Sequence, residues 1–331
     1  MGLTSGGQRL RLGFQVWGQY LSWDALMAIG HDIDAMGFDE LWSNDHFLPP
    51  IVGADGQIGQ PDGPIFEGWS TLFGWAGVTS AVRMGCLVSG AAYRNPTLLV
   101  KMATALDHAT NGRAALGLGA GWLEREHQAF GFEFPPLGRR IDRFAEAAAI
   151  CRGLLDGEEV VVAGEWYSLT GARNEPPPVQ ARLPLLIGGS GEKRTLRIVA
   201  EYADIWNANG DEPESLRRRN GILDEHCRRV GRDPASIERT IGLPPPCIRA
   251  TREEAVDALA AILEQQRIPG AEARRMAAES PFAAPLASVV DELRRYRDAG
   301  LSAAMFDWPA PFDRPTLEAL AGPVRSALDA D

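Results

Sequence analysis

Short apolar runs alternate along the chain with longer segments whose apolar residues recur every three or four positions, a strand-then-helix rhythm repeated from end to end. The first run, Leu12 to Trp17, precedes a helix with Leu26, Ile29, Ile33 and Met36 on one face and Gly37 as its stop. DELWSNDHF is read as the second strand and RMGCLVSG as the third, with helices over Trp69 to Ser80 and from Asn95-Pro96 onward. AALGLG is the fourth strand, and its helix carries Ile141, Phe144, Ala148, Cys151 and Leu155. LPLLIGG and ADIWNA are the fifth and sixth. The GSGEKRTLRIVAEY segment is read as a helix directly after the fifth, and a polar helix to about Val230 follows the sixth. Ser236 to Leu243 is the seventh, before a helix from Glu253 to about Gln266, and AAMFDW is the eighth, before a helix with Leu317, Leu320, Val324 and Leu328.

Eight such units predict an α/β fold, a closed (β/α)8 TIM barrel rather than a doubly wound sheet. Insertions are expected after strands 2, 4 and 7: a Gly/Pro-rich loop at 48–69, the connection GAGWLEREHQAFGFEFPP, and a less regular stretch at 268–285. No linker divides the chain, so 1–331 is read as one domain, with 1–9 as a disordered leader.

Composition narrows the partners. The net charge of −11 argues against nucleic acid, and no apolar run approaches the roughly eighteen residues of a membrane span. Cys86, Cys151, Cys227 and Cys247 lie far apart with no CxxC pair, which suggests neither a metal site nor a disulfide framework but buried thiols in a cytoplasmic protein.

In such a barrel the chemistry sits where strands end. His46 is the candidate acid-base residue, because imidazole exchanges protons near neutrality, and Asp45 beside it is placed to orient it or to bind a coenzyme ring. Glycines 188, 189 and 191 with Ser190 form a strand-to-helix turn suited to a phosphate, with Lys193 and Arg194 for charge. Trp122 follows the small residues Ala120 and Gly121 and offers a ring to stack on. Glu124, Glu126 and His127 read as a solvated helix start. Gln15, Asn207, Asn209, Asp307 and Trp308 fall at strand ends as further lining candidates.

The runs DELWSNDHF, YRNPTLLVKMATALDHATNGRAALGLGAGW and LPLLIGGSGEKRTLRIVAEYADIWNA resemble the luciferase-like monooxygenase superfamily, and the DHF and GAGW-L-x-x-E-H forms resemble its F420-dependent oxidoreductases. The resemblance implies F420, or alternatively FMN, at the C-terminal mouth, with Asp45 and His46 as the coenzyme-ring and acid-base pair. It implies a non-proline cis peptide at Leu87-Val88, before Ser89, that backs the ring. It also implies Ala120 and Gly121 beside the coenzyme, and Gly188, Gly189, Ser190 and Gly191 around its phosphate. Related deazaflavin-dependent sugar-phosphate dehydrogenases have Glu where this chain has Trp122, so their scheme is not carried over. SPFAAPLASVV replaces the family's usual Gly-x-Pro.

The expectation is hydride transfer between F420 and a small organic substrate, with the 48–69 loop as a lid. The alternatives are an FMN-dependent monooxygenase using oxygen and a coenzyme-carrying barrel without turnover. Relatives of this kind often form homodimers.

Overall fold

The computed structural model describes residues 9–210 and 212–330. Of the expected leader, residues 1–8 lie outside that range, while Arg9 is held by Asp39 and Asp329.

The elements run β1 (Arg11–Val16), α1 (Trp23–Ala35), β2 (Glu40–Ser43), α2 (Gly68–Ala76), β3 (Arg83–Cys86), β4 (Ser89–Gly90), α3 (Pro96–Ala109), β5 (Leu116–Gly119), α4 (Glu124–Phe130) and α5 (Leu137–Leu155). A hairpin, β6 (Val160–Ala163) and β7 (Ser168–Ala172), precedes β8 (Leu185–Gly188), α6 (Thr195–Tyr202), β9 (Ile205–Asn209) and α7 (Pro213–Arg229). Next come β10 (Glu238–Leu243), β11 (Cys247–Ile248), α8 (Arg252–Gln265), α9 (Gly270–Glu279) and β12 (Ala283–Ala284). α10 (Leu286–Asp298), β13 (Ala303–Trp308), α11 (Arg314–Ala319) and α12 (Arg325–Asp329) complete the order.

Nine parallel strands form one sheet in the order β3-β2-β1-β13-β10-β9-β8-β5-β4. Its two end strands, β3 and β4, are halves of one stave interrupted by Leu87-Val88. Met84 bridges Ala114 and β4 pairs with β5, so the sheet closes into the expected (β/α)8 barrel of eight staves.

Alternate residues point inward. At the N-terminal end, Arg11, Glu40, Arg83 and Glu238 close the interior with ion pairs. Arg11 Nε stands 3.0 Å from Glu40, Arg83 Nη1 stands 3.0 Å from Glu238, and Trp42 Nε1 donates to Glu40 at 2.9 Å. Above them Trp42, Ala115, Leu186, Ile205 and Met305 fill the middle. The helices pack their apolar faces on the outside of the staves, where Phe14, Leu41, Leu116, Ile187, Ile241 and Phe306 are fully buried.

Four details depart from expectation. The 268–285 stretch contains α9, not irregular chain. Its Gly, Pro and Ser boundaries look like a loop, but Ala273 and Ala277, one turn apart, are buried in one cluster with Leu259 and Leu263 of α8, and small side chains permit that approach. The helix after β8 starts only at Thr195, because Gly189 at φ 120° opens a turn that a helix cannot continue. β2 ends at Ser43, so Asn44, Asp45 and His46 lie beyond it, free of the ladder. An antiparallel hairpin, β6–β7, stands outside the barrel, in the stretch before LPLLIGG to which the strand-helix pattern assigns no element. All four cysteines are buried and free, as expected.

Candidate active site

At the C-terminal ends of the staves a cavity of about 760 Å³ opens, within the range of small-molecule sites. Every stave contributes: Gln15 and Trp17, Asn44 to His46, Leu87, Val88 and Gly90, Gly119 to Trp122, Gly188 and Gly189, Asn207 and Asn209, Gly242 to Pro244, and Asp307. Pro50 and Ile51 of the 48–69 loop and Met276, Glu279 and Ser280 from the α9 region add the outer wall.

His46 takes its place in that wall from one buried carboxylate. Its Nδ1 lies 3.0 Å from Glu126 Oε2, and Glu126, wholly buried, also accepts from the Leu48 N–H at 3.0 Å, the Phe47 N–H and the Tyr93 hydroxyl. Burial opposes the charge on Glu126, yet the bonds from His46, Tyr93 and Leu48 outweigh it and hold the carboxyl below its ordinary pKa. A carboxylate on Nδ1 fixes that nitrogen as the donor and leaves Nε2 for exchange. Burial, with Glu126 beside it, pushes the Tyr93 phenol far up, so it stays a hydroxyl donor. Trp122, half exposed at the rim, meets the His46 ring edge-on at 5.6 Å.

Glu126 and His127 are therefore not a solvated helix start: both are wholly buried, and only Glu124 faces water. The signal was present, since Leu123, Glu126, His127 and Phe130 share one helical face. What the chain alone could not show is that the face turns onto Phe47 and Tyr93. His127 Nδ1 bonds the Glu133 carbonyl at 2.9 Å, and burial lowers its pKa and keeps the ring neutral behind Gly121.

Asp45 does not orient His46. Its carboxylate is buried and held by Arg94, with Nη1 at 2.5 Å from Oδ2, while the other arm of Arg94 binds Glu67, the residue that caps α2. Neither Arg94 nor Glu67 stood out in the sequence. They tie the β2 end to α2 and α3 and so fix the backbone that carries His46.

Leu87-Val88 is cis, as the resemblance implies. Val88 projects between staves without side chains: a Cβ on Gly119 would stand 2.7 Å from Val88, and one on Gly188 3.1 Å. Leu87, Val88, Ala120 and Gly121 together line one wall of the cavity. At its edge is the turn 188–191, where no side chain caps the N-terminus of α6, so its positive end stays open to an anion. Lys193 is exposed beside it, whereas Arg194 is spent on Asp142 and the Gly138 carbonyl. Ser89, Ser190, Gly191, Lys193 and Trp308 do not line the cavity; Ser89 accepts from the Trp69 indole at 2.9 Å, and Trp308 packs on Phe14. Gln15, Asn207, Asn209 and Asp307 do line it.

Fold and cavity define a barrel enzyme whose site is assembled from the ends of all eight staves. Residues 7–309 match the model of the luciferase-like monooxygenase family, and the chain belongs to that family of oxidoreductases. It is 29% identical over 282 residues to the phthiodiolone/phenolphthiodiolone dimycocerosates ketoreductase of Mycobacterium kansasii, covering 79% of this chain and 74% of that protein. Among solved structures it resembles an F420-dependent secondary alcohol dehydrogenase in complex with an F420-acetone adduct. The TM-score is 0.77 at 20% identity, over 96% of this chain and 99% of the other. It also resembles a long-chain alkane monooxygenase, with a TM-score of 0.77 at 15% identity, over 98% and 92%. At such identities these two likenesses show the fold alone. Among the described residues no helix is long and apolar enough to cross a membrane.

Proposed function

We propose that the protein transfers a hydride between the deazaflavin coenzyme F420 and a small organic carbonyl compound or its alcohol. The observation that carries this reading is the His46 imidazole, set in the cavity wall and clamped through Nδ1 by the buried Glu126 carboxylate. The smooth Leu87-Val88 and Ala120-Gly121 wall suits a planar tricyclic ring, and the open α6 terminus with Lys193 suits its phosphate. F420, when bound, supplies or accepts the hydride at its ring carbon. His46 Nε2 gives the proton to the nascent alkoxide, or takes it from the alcohol, while Glu126 stabilises the charged imidazole. Pro50, Ile51 and Met276 close the outer wall and exclude water from that exchange. The preference for hydride transfer over oxygenation is supported by the likeness to a ketoreductase, and the preference for F420 over FMN by the resemblance of the DHF and GAGW-L-x-x-E-H forms to F420-dependent oxidoreductases.

Calorimetric titration with each coenzyme tests the reading. F420 is expected to bind at least about tenfold tighter than FMN, a difference of roughly 1.4 kcal/mol; the reverse order turns the proposal to the FMN-dependent monooxygenase. His46→Ala is expected to keep F420 affinity and to lower turnover of an accepted substrate by roughly 10²–10⁴-fold. Unchanged turnover removes His46 from the chemistry.

A further inference from the structure

Asp307 is the acid of this cavity that the proposed proton transfer leaves unused. It stands next to last in β13, in register with Gln15 of β1, one stave removed from the strand that leads to His46. What surface it has opens into the cavity, and protein surrounds it on every other side. The other carboxylates of the lining have cations: Asp45 has Arg94 and Glu279 has Arg275. Among the described residues Asp307 has none. The neighbouring staves offer it Gln15 from β1 and Gly242 from β10, with Arg11 and Glu238 at the far end of the barrel and already paired with each other. The titratable groups that share the cavity, His46 and Tyr93, are both turned to Glu126. Trp17 lines the cavity with Asp307, and burial, which that neighbour only partly offsets, raises its pKa to about 7.

A carboxyl in this setting keeps its proton at neutral pH and can donate as well as accept. Around it stand the uncharged Gln15, Asn207 and Asn209, and the outer wall is Trp17, Ile51, Leu243 and Met276. No Lys or Arg lines the cavity among the described residues, so around Asp307 an anionic substrate would meet acids, amides and apolar surface with no cation to compensate its desolvation.

We infer that Asp307 contacts the substrate and selects a neutral molecule bearing a hydroxyl or carbonyl group against its carboxylate counterpart. The inference rests on reading the cavity as the substrate site, and names the substrate class that site takes. In its protonated form Asp307 donates to the carbonyl or bonds the hydroxyl of the ligand. Once ionised, it repels anions and loses its donor.

Cyclohexanone and cyclohexanecarboxylate, which share a ring, are the probes. Their affinities are measured by ligand-observed NMR, on protein loaded with the coenzyme that binds and on protein without coenzyme. Cyclohexanone affinity is expected to fall roughly tenfold between about pH 6 and about pH 8, as a single group titrates, and cyclohexanecarboxylate is expected to bind more weakly throughout. In Asp307→Asn the ketone affinity becomes flat with pH. Infrared difference spectra of the ligand-free wild-type protein are expected to show one protonated carboxyl band lost over the same range, so the question is answered even if the variant folds poorly. Cyclohexanone binding that is undetectable or flat with pH in the wild type overturns the inference. So does an unchanged profile in Asp307→Asn, or equal binding of the carboxylate. If neither coenzyme binds while the infrared band and the probe preference are as expected, the F420 reading falls and the role of Asp307 stands.

Discussion

At the lower end of the barrel Arg11, Glu40, Arg83 and Glu238 face one another and their charges cancel; at the upper end the staves present His46 and Asp307 to a cavity without a cation beside either. Each lower acid has a guanidinium within hydrogen-bond reach, so that end can only hold the staves together. The upper end spends its cations away from the cavity, Arg94 on Asp45 and Arg194 on Asp142, and keeps its titratable groups exchangeable. One barrel therefore separates stability from chemistry along its axis, as barrels of this type do.

Removing one acid from each end is the sharpest way to break that comparison. Glu126→Ala and Glu40→Ala each strand buried partners, and each is expected to cost about 3–5 kcal/mol in urea unfolding. Only Glu126→Ala should also abolish turnover, whereas folded Glu40→Ala should retain its coenzyme affinity. Coenzyme binding lost in a folded Glu40→Ala protein would end the division of labour.

Next in size is Gly119→Ala, whose Cβ would press on Val88. About 1–3 kcal/mol of stability is expected to be lost, together with a weakened coenzyme complex, since the wall that backs the ring must shift. Wild-type coenzyme affinity in this variant would detach the Val88 cleft from the site.

A gentler change comes from pH. Asp307 has a folded pKa of about 7, above its unfolded value, so the native state holds more protons than the unfolded one between roughly pH 4 and that value. Stability from this group therefore falls as pH rises through the window, and Asp307→Asn should remove that slope. Glu126, held below its ordinary pKa, acts with the opposite sign: its contribution is present above about pH 4 and is lost as acid titrates the folded carboxyl. Thermal melts across pH separate the two. The smallest effect is expected at Thr251→Ala, which opens the capping box of α8 for about 1 kcal/mol and leaves coenzyme affinity untouched, because α8 stands behind the α9 wall.

The strands were legible because buried parallel staves are short continuous apolar runs, and His46 was legible because it follows one of them directly. Glu126 was not, because its helix start has the polarity of a surface and only the fold turns that face onto Phe47 and Tyr93. α9 was hidden by its Gly and Pro boundaries, and its burial depends on α8, a partner that no local window contains. Asp307 could be placed at a strand end, but its missing cation is a property of the neighbouring staves.

The amino-acid order by itself determined the eight strand-helix units and hence the mouth where the site had to be, since periodicity and turn residues act over a few positions along the chain. Only the tertiary structure decided which acid belongs to which cation, that Arg94 takes Asp45 and Glu126 takes His46, and that Asp307 is left with Trp17. Charge pairing and desolvation depend on distances across the barrel, between residues that the sequence holds far apart.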